Sequence, residues 1–220
     1  MKRIAVFAGP SLPPEHRAPI EGVVYLPSAR RGDLLDAVDN YDAILLIDGV
    51  FQEDLAPSPK EVLQACRECA FFGAASLGAL RAVECAPYGA HACGAIARWY
   101  ANGTIDGDDE VAVVFDPKTQ RALSVPMVNV RYFLYAAQRR NLIDPVEAER
   151  AALQAREVFY ADRTWDDVFD TMPRRNKNRL YELARYADLK ALDARFALRC
   201  VARWAGVKSK RSEETVRIAR

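Results

Sequence analysis

Residues 70–81 read Ala70-Phe71-Phe72-Gly73-Ala74-Ala75-Ser76-Leu77-Gly78-Ala79-Leu80-Arg81. The apolar run predicts a buried strand from Ala70 to Ala75, and the small residues after it predict a tight turn into a helix. Strand, turn and helix in that order predict a parallel α/β sheet. Small residues flank Ser76 because a chain turning sharply from strand to helix leaves no room for bulk. This is the layout of a nucleophile elbow, departing from Gly-x-Ser-x-Gly at Ala74. In it the hydroxyl rises out of the sheet and the backbone N–H groups of Leu77 and Gly78 face whatever it attacks. A plainer role is also open: a serine before a helix serves as its N-cap.

Moving outward, further strands are predicted at Ile4 to Ala8, Val23 to Leu26 and Ala43 to Ile47, with helical patterns between them up to about residue 100. Turn residues follow three strands directly: Gly9-Pro10-Ser11, Asp48-Gly49 and Ser76-Leu77-Gly78. In open parallel sheets, loops at the carboxyl ends of strands gather on one edge, where ligands bind. Ser11, Asp48 and Ser76 are therefore expected to converge. Upstream of Ser76, Ser58-Pro59-Lys60-Glu61 spells a capping box with proline at the first helical position. Lys60 then falls in the first turn, where the helix dipole disfavours a cation by about 0.3–1 kcal/mol. An anionic ligand would explain it, and so would service as a neutral amine, which desolvation and a positive helix end both favour. A solvated surface lysine is the third reading.

Beyond this, Gly94 to Asn102 reads as a helix stopped by Asn102-Gly103. The acidic group Asp106, Asp108, Asp109 and Glu110 reads as a solvated turn rather than a metal site. Val111 to Phe115 and Arg121 to Val125 read as a hairpin, and helices follow from Met127. The predicted organisation is an α/β core over 1–125, a mostly parallel sheet with flanking helices. A helical carboxy-terminal region over 126–207 packs on it, and a flexible basic tail covers 208–220.

Several of these blocks together resemble one family. Asp48-Gly49-Val50-Phe51, Lys60-Glu61, Gly73 to Arg81 with Glu84, and Asp108 to Val113 are similar to the core of TfuA-like proteins, and Val6 to Leu12 resembles their start. Agreement in order and spacing over about the first 120 residues makes chance a poor explanation. The resemblance implies work beside a YcaO enzyme, which uses ATP to activate a peptide backbone amide for replacement of oxygen by sulfur. It further implies hydrolysis of a thiocarboxylated ThiS-like sulfur carrier protein, releasing bisulfide through a serine–lysine pair. Residue by residue, those roles fall on Ser76 and Lys60, with Leu77, Gly78, Ser11, Asp48, Gly49 and Arg81 as oxyanion or substrate-binding positions. No cofactor or metal is implied. A non-catalytic adaptor that recruits the precursor peptide or the carrier is the alternative.

Composition bounds the setting. In 220 residues no apolar stretch approaches the roughly 20 needed to span a bilayer. Met1-Lys2-Arg3 leads straight into Ile4-Ala5-Val6-Phe7 without a secretion signal, so a cytoplasmic protein is expected. Five cysteines, an odd number, argue against a disulfide framework. Cys66, Cys69 and Cys85 leave persulfide carriage as a minor option, with no local mark of an activated thiolate. Residues 171–220 hold 14 Lys and Arg against 5 Asp and Glu, although the whole chain is only +1. That asymmetry suggests docking of an acidic protein partner through Arg174, Arg175 and Lys177, near Arg179. Nucleic acid is the weaker reading, because no binding motif accompanies the patch.

Overall fold

The computed structural model describes residues 1–52, 55–173 and 175–207. Its centre is a five-stranded sheet, all parallel, in the order β2-β1-β3-β4-β5. The strands are β1 (Ile4–Phe7), β2 (Val23–Leu26), β3 (Ala43–Leu46), β4 (Ala70–Ala74) and β5 (His91–Cys93). Helices α1 (Asp33–Val38), α2 (Pro59–Glu68), α3 (Leu77–Glu84) and α4 (Gly94–Ala101) follow successive strands. A helical segment comes next: α5 (Met127–Arg139), α6 (Pro145–Glu157), α7 (Trp165–Phe169), α8 (Lys177–Ala184) and α9 (Leu189–Trp204).

Strand periodicity divides the core. Ala5, Phe7, Ile44, Leu46 and Phe71 face one way, onto Leu34 of α1, Val62 and Ala65 of α2, and Ala82 of α3. Ile4, Val6, Leu45, Phe72 and Ala74 face the other way, where Ala194, Ala197, Leu198 and Val201 of α9 cover them. The last helix is thus a layer of the α/β sandwich, while α5 to α8 bury their own cluster around Phe133, Val168 and Leu180. The fully buried Arg163 secures that cluster by donating to Ala155 O and Val158 O at the end of α6 and to Val125 O. Its guanidinium satisfies carbonyls that a helix end leaves without partners.

Three sequence expectations change. β5 was not among the expected strands; three residues give no period to read, and pairing with β4 decides it. The hairpin reduces to a single bridge, Phe115 to Ala122, because Ser124 Oγ takes the Val114 N–H and the Asp116 side chain caps the turn. The capping box at Ser58 is formed only on one side: Ser58 Oγ accepts the Glu61 N–H at 3.2 Å. Glu61 instead crosses to α1, accepting the N–H groups of Gly32 at 3.0 Å and Leu34 at 3.2 Å. Residues 208–220, expected as a tail, lie outside the described residues.

Candidate functional site

The chain reverses its direction of winding between β1 and β3, and the loops leaving these neighbours part to form a crevice. Asp48, just past β3, joins its two sides. Its Oδ2 accepts the N–H groups of Gly9 at 2.9 Å and Ser11 at 3.0 Å, and its Oδ1 accepts the Ser11 hydroxyl at 2.6 Å. Ser11 and Asp48 therefore converge as expected, but the Ser11 hydroxyl is consumed in holding Asp48.

Ser76 opens into this crevice. The turn that carries it is sharp: Ala75 sits in the left-handed region at φ 66°, and the Ser76 N–H bonds back to Ala74 O at 2.7 Å. A left-handed conformation costs a non-glycine residue about 1–2 kcal/mol, so the turn stores strain one residue before the serine. Ser76 occupies the N-cap position of α3, yet its side chain makes no cap hydrogen bond. The residue is 2% exposed and lines a cavity of about 170 Å³ together with Asp48, Gly49, Phe51, Val113, Phe115 and Tyr160.

The expected anion-stabilising amides separate. Gly78 donates its N–H to Ile47 O at 3.2 Å and is spent on the fold. A side chain there would collide with Leu46 O, so glycine is needed for α3 to approach β3 this closely. The Leu77 N–H meets no acceptor among the described residues and remains available. Gly49 does line the cavity, packed against Leu77. Arg81 does not. It donates to Pro57 O at 2.9 Å, pairs with Glu84 at 2.7 Å, and lines a neighbouring recess with Arg31, Ser58 and Pro59.

Lys60 is exposed, in the first turn of α2 next to that recess, and is not among the residues lining the Ser76 cavity. The structure thus places serine and lysine on adjoining features of one sheet edge without joining them in one cavity. The thiols are also remote from activated chemistry: burial pushes Cys69 and Cys85 up to about 11 and Cys93 to about 12, and raises Cys66. On the proposed docking face, Arg175 pairs with Glu147 at 2.6 Å and Lys177 lies over the Tyr181 ring. Arg174 lies outside the described residues.

Tyr160 of the cavity wall and Lys190, a buried lysine on α9, were not singled out from sequence. Tyr160 reaches the cavity from the segment after α6 and carried no signal beyond its break in helical pattern. Lys190, 3% exposed, stands in the first turn of α9. Its signal was the same one that drew attention to Lys60, a cation at a helix start. Among the described residues no helix is long and apolar enough to cross a membrane. A family model described as TfuA-like protein matches residues 48–164, just over half of the chain and the segment that carries Asp48, Ser76 and the cavity walls up to Tyr160. No curated protein matches the chain.

Proposed function

Since the chain belongs to the TfuA-like family, we propose that it is an accessory protein of YcaO-dependent peptide thioamidation whose Ser76 centre hydrolyses a thiocarboxylated ThiS-like carrier. The observation that supports this most is Ser76 itself: 2% exposed, without a side-chain cap bond, and lining a small polar-edged cavity at the switch point of the sheet. A cavity of about 170 Å³ takes the end of an extended chain and nothing larger, which suits the tail of a carrier protein whose body stays outside.

In this reading Ser76 Oγ attacks the thiocarboxylate carbon and its proton leaves with the sulfur as bisulfide. Water then cleaves the acyl-serine, restoring the hydroxyl and giving the carrier's carboxylate and a proton. The Leu77 N–H faces the developing oxyanion. Lys60, exposed beside the adjoining recess, serves as a cation that draws the anionic tail toward the crevice. The basic patch with Arg175 and Lys177 docks the acidic surface of the carrier or the YcaO enzyme.

The adaptor reading has a specific observation in its favour: Gly78 offers no amide to an oxyanion, and Lys60 does not line the serine's cavity. One assay separates the two. Purified protein mixed with thiocarboxylated carrier alone is expected to release bisulfide and regenerate the carboxylate. Protein that releases none, yet stimulates thioamidation by the YcaO enzyme, is an adaptor.

A further inference from the structure

We propose that the outer side of the cavity wall is the docking surface for the body of the carrier, a folded protein that presents an apolar surface beside the tail it inserts. The inference rests on reading the Ser76 cavity as the seat of that tail. Two segments, 113–125 and 158–163, build this part of the wall. They are tied together by the Val125 N–H on Arg163 O at 2.8 Å and by the Arg163 guanidinium on Val125 O at 3.3 Å. Val113, Phe115 and Tyr160 line the cavity. Val114, Leu123 and Phe159 do not, and they are 38%, 66% and 62% exposed. One chain of contacts links the three. The Leu123 N–H donates to Val114 O at 2.7 Å, Ala122 bridges Phe115, and the Phe159 ring lies 4.5 Å from that of Tyr160, which shares the cavity wall with Phe115.

A lone exposed apolar side chain is ordinary, but a linked group of them marks an interaction surface. The fold has no need of these three. The backbone bonds of Val114 and Leu123, including the Val114 N–H on Ser124 Oγ at 3.0 Å, would form as well with serine or threonine at either position. Continuity with the cavity selects the occupant. In sequence Val114 stands between two wall residues and Phe159 beside a third, so a body seated here begins its tail within one or two residue lengths of the wall, each about 3.3–3.6 Å. A cavity of about 170 Å³ takes only the end of that tail, and the rest of the partner has to lie on the surface around it. Charge does not make the choice, because Arg121, next to Ala122, already pairs with Glu15 at 3.0 Å. Recognition here is by apolar contact, distinct from the basic patch at Arg175 and Lys177. A lipid surface or a second copy of this chain would gain nothing from a patch threaded through the wall of a cavity.

The test measures equilibrium binding of the carrier in its carboxylate form, which cannot be turned over, to the full-length protein by calorimetry. The double variant Leu123→Ser with Phe159→Ser is expected to bind about tenfold more weakly or worse, with its Tm close to that of wild type. Leu123→Asp alone is expected to show the same direction of loss should the double variant not fold. Tyr186→Ser, which removes an equally exposed apolar side chain elsewhere, is expected to bind as wild type does. A wild type that does not bind the carrier, a folded double variant that keeps wild-type affinity, or an equal loss in Tyr186→Ser would each overturn the proposal. So would a double variant that keeps the carrier but loses binding to phosphatidylglycerol vesicles or loses self-association in the ultracentrifuge, which would assign the patch to lipid or to a second copy. Binding does not require hydrolysis. A wild type that binds through the patch but releases no bisulfide leaves the docking surface standing and removes the hydrolase reading. Bisulfide release with the same KM for carrier in wild type and double variant removes the docking surface and leaves the hydrolase.

Discussion

Asp48 concentrates the crevice in one side chain. Three hydrogen bonds from the Gly9–Ser11 loop converge on its carboxylate, and they hold the two loops of the switch point at fixed separation. Bonds to a charged acceptor contribute about 1.5–3 kcal/mol each, and an amide in the same place loses that charge and must donate to the Ser11 hydroxyl instead of accepting from it. Asp48→Asn is therefore expected to lose about 2–4 kcal/mol in urea unfolding at neutral pH and to open the Ser76 cavity. A variant as stable as wild type would show that the loops are held by something else. Residue by residue, the sequence was informative where a local rule is strict. The small residues around Ser76 and the proline-started helix at Ser58 were legible, whereas Asp48-Gly49, read as turn residues, continues extended and Gly49 pairs with Ala29 in a parallel bridge. The destination of a side chain was not legible: Glu61 reaches α1, Gly78 spends its N–H on Ile47, and Lys190 meets Val111 across 79 positions of sequence. These are choices of tertiary packing that no spacing encodes.

At the scale of elements, the junction of β5, α4 and α9 is the one that local signals missed. Gly94 at φ 99° starts α4, and a Cβ there would run into the Asp193 carboxylate. That carboxylate, presented by α9, accepts the N–H groups of Ala95 at 2.9 Å and Ile96 at 2.7 Å, and so caps a helix almost a hundred residues earlier. Burial raises the Asp193 pKa, and the two amides only partly oppose it. A pKa raised on folding means that the folded state holds the proton more tightly. The contribution of Asp193 is therefore full below the unfolded value of about 3.9 and declines as pH rises through the folded value. Unfolding free energies of wild type and Asp193→Ala, measured at steps from about pH 4 upward, are expected to differ most in favour of wild type at the acid end. A difference that grows with pH instead would mean that the carboxylate is stabilised as the anion.

For the whole molecule, the carboxy-terminal region is part of the site's construction rather than an appendage. α9 covers one face of the sheet, and the segment after α6 brings Tyr160 to the cavity. A parallel α/β sheet over the first half was readable because strand period and turn chemistry are local. The docking of α9 was not, since its alanine-rich face suits a bundle as well as a sheet. Partner recognition belongs to this scale too. Replacing Arg175 and Lys177 by glutamate is expected to weaken binding of the carrier or the YcaO enzyme several-fold, with the loss mimicked by added salt. Hydrolysis of a small thiocarboxylate is expected to continue in that variant. Because Arg175 already pairs with Glu147, unchanged partner affinity would assign it to that internal pair alone.

The central claim, that the Ser76 hydroxyl performs the chemistry, is tested most directly by the rate of bisulfide release from thiocarboxylated carrier by wild type and Ser76→Ala. Removing one methylene-linked hydroxyl from a 2% exposed residue that caps nothing leaves the fold intact, which the Tm checks. The account predicts a loss of about a hundredfold or more in kcat with Tm held, as expected for removal of a nucleophile. A folded Ser76→Ala protein that releases bisulfide at the wild-type rate would contradict it.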